Sequence, residues 1–145
     1  MAFALAAHPR LLTAHGQIRE LLVPVPNRFG ASQHIAGMLI AHVRGCTPCF
    51  NNCRDTLSAM GFNPGTLDAF CELPDTLPLR ERERSIVRFT LRMAREPKTI
   101  TPSDFREMEK AGFSKEELLE MVGVASYWNY ATTLATLMDA GIRDD

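Results

Sequence analysis

This 145-residue chain has no excess of charge: 16 basic and 17 acidic residues leave a formal net charge of −1. No basic stripe is present to track a phosphate backbone, and no basic amphipathic segment to lie on lipid, so nucleic acid and membrane partners are not expected. Strand-like alternation, internal repeats and low-complexity runs are missing too. The opening Met1-Ala-Phe-Ala-Leu-Ala-Ala7 is apolar but has no positively charged n-region and soon meets His8-Pro9-Arg10, so no signal peptide is expected. Nothing marks a flavin, haem or nucleotide site, and no cofactor is expected. The longest uncharged run, the 18 residues Met121 to Met138, touches the lower length limit for a spanning helix. Its Ser126, Asn129, Thr132, Thr133, Thr136 and two tyrosines make it too polar for lipid on all sides. It reads instead as a central buried helix or as one that packs against another subunit. A single domain over 1–145, in a cytoplasmic setting, follows as the expectation. A chain of this length buries a real core without disulfide staples.

What is present is helical. Pro9 opens a first helix through Leu12, Ile18 and Leu22, ending near Pro24 and Pro26. A second starts near Ala31 or Ser32, with Ile35, Met38, Leu39 and His42 as its core face, and stops at Gly45. The third has Thr47 as N-cap and Pro48 in its first turn, and closes at Gly61. Asn63-Pro64-Gly65 opens a short helix through Leu67, Phe70 and Cys71 that stops near Pro74. Leu79 to Arg95 is the fifth; its Arg80-Glu-Arg-Glu-Arg84 reads as a solvated face of mixed charge pairs, and Ile86, Val87, Thr90, Leu91, Met93 and Ala94 form its buried side. Thr101-Pro-Ser-Asp104 opens a helix that ends at Gly112. The capping box Ser114-Lys-Glu-Glu117 opens the last and longest, to about Ala140. The fold class is all-α: a single-domain bundle of about six to seven helices.

The chemistry concentrates at Cys46-Thr47-Pro48-Cys49 and Cys53, three of the four cysteines within eight residues. On a helix their spacing of i, i+3 and i+7 puts them on one face. In a reducing compartment a CxxC reads as a redox or metal site rather than a structural staple. The positive end of a helix dipole favours a thiolate at Cys46 and Cys49, and such placement lowers a thiol pKa from about 8.5 to roughly 3.5–7.5. A thiolate attacks a peroxide to give a sulfenic acid, which a second thiol one turn away condenses into a disulfide. There is no second CxxC, which counts against a four-cysteine zinc site, and Cys71 reads as a core residue. His34 precedes Cys46 by twelve residues on the helix that leads into the motif, whereas His8 and His15 offer no pattern.

From about Pro9 to Ala140 the chain resembles the alkylhydroperoxidase D-like branch of the carboxymuconolactone decarboxylase superfamily. The resemblance rests on Gly45-Cys46-Thr47-Pro48-Cys49, Ala59-Met60-Gly61, the helix Arg84 to Ala94, Lys98-Thr-Ile-Thr101, Ala111-Gly-Phe-Ser-Lys-Glu-Glu-Leu118 and Asn129. It implies an all-helical fold and a homo-oligomer, commonly a trimer or hexamer. It also implies a hydroperoxide substrate and a thiol or disulfide reductant, with the peroxidatic role on Cys49 and the resolving role on Cys46. The family's redox branch carries a glutamate twelve residues before the first cysteine and a histidine four residues after the second. Here those positions hold His34 and Cys53. His34 is then the expected base, its unperturbed pKa of about 6.5 suiting the task. Cys53 relays a proton less well but offers a third redox sulfur. The departures leave two further readings open. One is a non-catalytic Cys₃His zinc or redox-sensing site built from His34, Cys46, Cys49 and Cys53. The other, weaker because the decarboxylase branch lacks the CxxC, is lactone decarboxylation.

Overall fold

The computed structural model describes residues 30–70 and 79–140. The first helix expected from the sequence, Cys71 and the stop near Pro74 lie outside the described residues. Among those described there are six α-helices, one short 3₁₀ turn (Pro97–Thr99) and no strand. The helices are α1 (Ala31–Val43), α2 (Thr47–Ala59), α3 (Pro64–Phe70), α4 (Glu81–Arg95), α5 (Pro102–Lys110) and α6 (Lys115–Asp139).

Helix α1 is the centre of the bundle. The periodicity of its sequence predicts a buried stripe, but all seven residues from Ile35 to Ala41 are buried. The reason is its position, with α2, α4 and α6 packed around it. Gly37 makes the closest of these contacts possible, because a Cβ there would collide with the indole of Trp128 on α6. Side-chain bonds tie Gln33 to Glu120 at one end of α1 and Arg44 to Thr133 at the other, so α1 and α6 run in the same direction. His42, expected on the core face, is exposed. It lies beyond the point where α1 leaves the core.

Helix α6 does not carry a uniformly buried apolar run. Met121, Val124, Ala125, Trp128, Ala131, Thr132, Ala135 and Met138 form one buried face at helical spacing. The opposite face reaches solvent, with Leu119 70% and Leu137 48% exposed. The buried hydroxyl of Thr132 donates to the carbonyl of Trp128 one turn back, and Thr90 on α4 does the same to Ile86. No helix among the described residues is long and apolar enough to cross a membrane.

Helix α4 starts at Glu81, two residues later than the sequence suggests. Arg80 is extended, and its N–H donates to the Glu83 carboxylate. Phe89 is buried as well and stacks edge-on against Phe105 of α5 at 5.5 Å, while Leu91 is half-buried against the core. Nor is its charged start only a solvated face. Arg82 reaches Glu117 of α6 at 2.8 Å and lies over the ring of Phe113 at 4.2 Å, so it joins two helices. Cys46, Cys49 and Cys53 belong to the same hydrophobic cluster as Ile35, Leu57, Ile86 and Trp128.

Candidate functional site

The site begins where α1 ends. Gly45 takes a positive φ of 69°, which a residue with a Cβ adopts only at a cost. That turn lets the Gly45 N–H donate to the carbonyl of His42 and the Cys46 N–H donate to that of Ala41 at 2.9 Å. Together these bonds make a Schellman helix end, in which the residue after the glycine packs back on the helix it has left. The chain uses the same device at Gly61-Phe62 and Gly112-Phe113, where that residue is a phenylalanine. In the first of the three it is Cys46, which explains why its sulfur is drawn inward.

Cys46 is at once the residue after α1 and the N-cap of α2, one position earlier than the sequence places the cap. Thr47 and Pro48 form the start of the helix, and Cys49 completes its first turn. Proline is tolerated there because its missing N–H has no partner to lose. The structure joins Cys46 and Cys49 in a disulfide, with Cα atoms 5.4 Å apart. Neither side chain is open to solvent: Cys46 is 3% exposed and Cys49 0%. The buried stripe of α2 is Cys49, Cys53 and Leu57, so two of its three core positions are cysteines.

Cys53 is a free, buried thiol. Burial pushes its pKa up to about 12, because a thiolate there would lose its hydration. It is a neutral thiol at any ordinary pH. His34 sits in the first turn of α1, at the opposite end of that helix from Cys46. Burial lowers its pKa, so its neutral form is favoured, and its buried Nδ1 has no hydrogen-bond partner in the structure. Among the described residues no three His, Cys, Asp or Glu side chains come together as a metal-holding group. The Cys₃His reading is corrected accordingly: His34 and the cysteines do not form such a group, and a disulfide leaves two of the four ligands without a thiolate.

One feature was missed in the sequence. A pocket of about 190 Å³ opens over the α1–α2 turn, lined by Ala41, His42, Gly45, Cys46, Thr47 and Phe50. The rings of His42 and Phe50 stand 6.2 Å apart on its wall. Cys46 borders this pocket and Cys49 does not. The available signal was the spacing of His42, one helical turn before Cys46 and just ahead of a glycine stop.

No protein-family model matches the chain, and no curated protein does. Solved structures do. An uncharacterized peroxidase-related protein from Silicibacter sp. TM1040 superposes with a TM-score of 0.80 at 16% identity, over 94% of this chain and 72% of that one. The fold is alkylhydroperoxidase D-like. A second structure, described as an alkylhydroperoxidase AhpD core and peroxidase-related protein from Ralstonia eutropha JMP134, matches with a TM-score of 0.80 at 15% identity, over 92% of this chain and 70% of its own. A third, a protein of unknown function from Agrobacterium tumefaciens described as a candidate antioxidant defence protein AhpD, covers all of this chain and 98% of its own, with a TM-score of 0.71 and 16% identity. Within this alkylhydroperoxidase D-like fold the Cys46–Cys49 pair sits at the α1–α2 turn.

Proposed function

We propose that this chain is a thiol-dependent oxidoreductase of the peroxidase type that reduces hydroperoxides through a Cys46–Cys49 dithiol/disulfide cycle, in an antioxidant role. The observation that carries the reading is a disulfide at the start of a helix on an alkylhydroperoxidase D-like fold. In the reduced state the unpaired N–H groups of that helix start favour a thiolate. Burial of both sulfurs opposes this, so the helix end supplies the bias toward the reactive form. The Cys49 thiolate attacks the terminal oxygen of the hydroperoxide; the O–O bond breaks, the alkoxide leaves and becomes the alcohol by taking the proton that the Cys49 thiol had given up, and Cys49 becomes a sulfenic acid. The Cys46 thiol then displaces hydroxide from that sulfur, water leaves with the thiol proton, and the disulfide forms.

In this reading His34, a neutral imidazole whose Nδ1 is able to accept a proton, is the base, and it acts on the sulfurs through an intervening relay because it lies at the other end of α1 from Cys46. Cys53 stands where the resemblance places an imidazole and, as a neutral thiol, contributes no comparable relay. The electron donor is a thiol or disulfide reductant, and the setting is cytoplasmic, where thiols are kept reduced. The chain assembles as a homo-oligomer, a trimer or hexamer. The uncharged run of α6 from Met121 to Met138, with Leu119 and Leu137 exposed on the outer side of the helix, supports that assembly.

The deciding measurement is stoichiometry. Reduced protein treated with hydrogen peroxide or an organic hydroperoxide is expected to consume one peroxide for every two thiols lost, and peptide mapping is expected to recover a Cys46–Cys49 linkage. A peroxide signal that does not fall, or a linkage between other cysteines, would falsify the proposal. Light scattering tests the assembly, and a mass near that of one chain would count against it.

A further inference from the structure

The dithiol reading leaves open how the disulfide is returned to the reduced state. In the disulfide state of the structure both sulfurs are buried, so an external reductant needs a route to one of them. The pocket over the α1–α2 turn reaches Cys46 and stops short of Cys49. It is small, at about 190 Å³, and none of its six lining residues is an acid, a lysine or an arginine. Ala41, Gly45 and the ring of Phe50 make most of its wall apolar, with His42 and Thr47 as the polar groups. A pocket of this size and lining suits an uncharged thiol on a slender chain, and His42 and Cys46 both border it.

We infer that His42 is a catalytic base for the reductive half of the cycle: an uncharged slender thiol enters this pocket, His42 takes its proton, and the thiolate attacks the Sγ of Cys46. The inference rests on the dithiol reading above. The sulfur–sulfur bond opens along the line of attack, a new bond joins the reductant to Cys46, and the electron pair leaves on Cys49. Cys49 takes up the proton and returns to the thiol. A second thiol then attacks the reductant's sulfur in the mixed disulfide. It releases the oxidised reductant as its disulfide, and Cys46 departs as a thiolate that is reprotonated. Two thiols are oxidised and one protein disulfide is reduced. Approach from the pocket favours this order, because Cys46 borders it and Cys49 does not. Neither of the residues at the resemblance's relay positions borders this pocket: Cys53 lies inside the core and His34 at the other end of α1.

The test uses the full chain, oxidised, with 2-mercaptoethanol as the probe thiol and glutathione as a charged comparison. Protein thiols are counted after acid quenching. General acid–base groups are worth about 10²–10⁴-fold, and His42→Ala is expected to slow reduction by about 10²-fold near neutral pH. That deficit should shrink to nothing as the pH rises past the pKa of the thiol itself, where the thiolate forms without help. Added imidazole should restore part of the rate, His42→Gln should not, and 2-mercaptoethanol should be favoured over glutathione beyond their difference with a small disulfide in solution. Peptide mapping of the quenched intermediate is expected to find the adduct on Cys46. Slowing that is the same at every pH indicates a structural role for His42 and overturns the inference, as do an unchanged rate in His42→Ala, an adduct on Cys49, or no preference between the two thiols. An oxidised chain without a Cys46–Cys49 linkage would instead overturn the dithiol reading on which this one depends.

Discussion

Gly45-Cys46 and Gly112-Phe113 are the same helix end put to different uses. Both glycines have positive φ, 69° and 94°, and both following N–H groups bond back to the carbonyl five residues earlier. Past Gly112 the chain is held many times over. Phe113 is buried under Arg82, Ser114 accepts the Glu117 N–H at 3.1 Å, the Glu117 carboxylate accepts the Ser114 N–H at 2.9 Å, and Arg82 pairs with that carboxylate. Past Gly45 there is no side-chain cap, and a sulfur fills the position that phenylalanine fills elsewhere. A reactive helix start needs what a structural one does not. N–H groups already bonded to a capping oxygen are not free to stabilise a thiolate, so the end that serves chemistry is left uncapped and the end that serves stability is not.

The largest effect is expected from removing the sulfur that distinguishes the two helix ends. Cys46→Ala keeps a small apolar residue after Gly45 and removes the sulfur. Steady-state hydroperoxide turnover with a thiol reductant is expected to fall about 10³-fold or more, the scale on which loss of one member of a catalytic unit is read. Helical circular dichroism should stay unchanged. Turnover that survives would show that the chemistry lies elsewhere.

Next in size are the glycines. A Cβ at either Gly45 or Gly112 meets no atom within 4 Å, so the cost of alanine there is conformational. Gly45→Ala and Gly112→Ala should each lose about 1–2 kcal/mol of stability in urea unfolding, the cost of a left-handed residue with a side chain. Only Gly45→Ala should also change the rate at which the disulfide is reduced. Equal redox rates in the two variants would mean that the Gly45 turn does not position Cys46.

A smaller loss is expected on the capped side. Ser114→Ala removes the oxygen that accepts the Glu117 N–H and should cost about 1 kcal/mol, with no effect on thiol chemistry. A redox phenotype in this variant would connect two regions that the comparison keeps apart.

The smallest effects are those of pH, and two groups outside both helix ends, His34 and Asp104, should show them in different windows. Burial holds the His34 pKa below its ordinary value of 6.5, so the unfolded chain takes up that proton first. Stability should therefore be full above pH 6.5 and decline as the pH falls below it, and His34→Gln should flatten that decline. Asp104 accepts the N–H and hydroxyl of Thr101 and a guanidinium bond from Arg92, which hold its pKa down to about 2. Its contribution is present above the unfolded pKa of about 3.9 and is lost as the pH falls from there toward 2. Asp104→Asn should flatten only that lower limb. Acid unfolding curves that respond to either substitution in the other's window would contradict these assignments.

Much of this was legible in the residues. The glycine stops at 45, 61 and 112, the proline in the first turn of α2 and the box from Ser114 to Glu117 are local signals. They act through bonds made within a few residues, and the structure keeps each of them. Position relative to the whole bundle was not legible. His42 continues the apolar period of α1 yet is exposed, because the core ends before the helix does. Phe89 is buried although it lies off the expected face of α4, because α5 supplies Phe105 against it. Arg82 looks like surface charge until Glu117 and Phe113 arrive from the start of α6.

Among the described residues, order along the chain set the helices, their ends to within two residues and the placing of Cys46 and Cys49 at the start of one of them, since backbone bonding and capping depend on near neighbours. Only the tertiary structure decided which sulfurs are buried, that Cys53 is held as a neutral thiol, and that His42 and Cys46 share a pocket. Burial and hydration depend on which helices pack together, and that packing joins residues far apart in sequence.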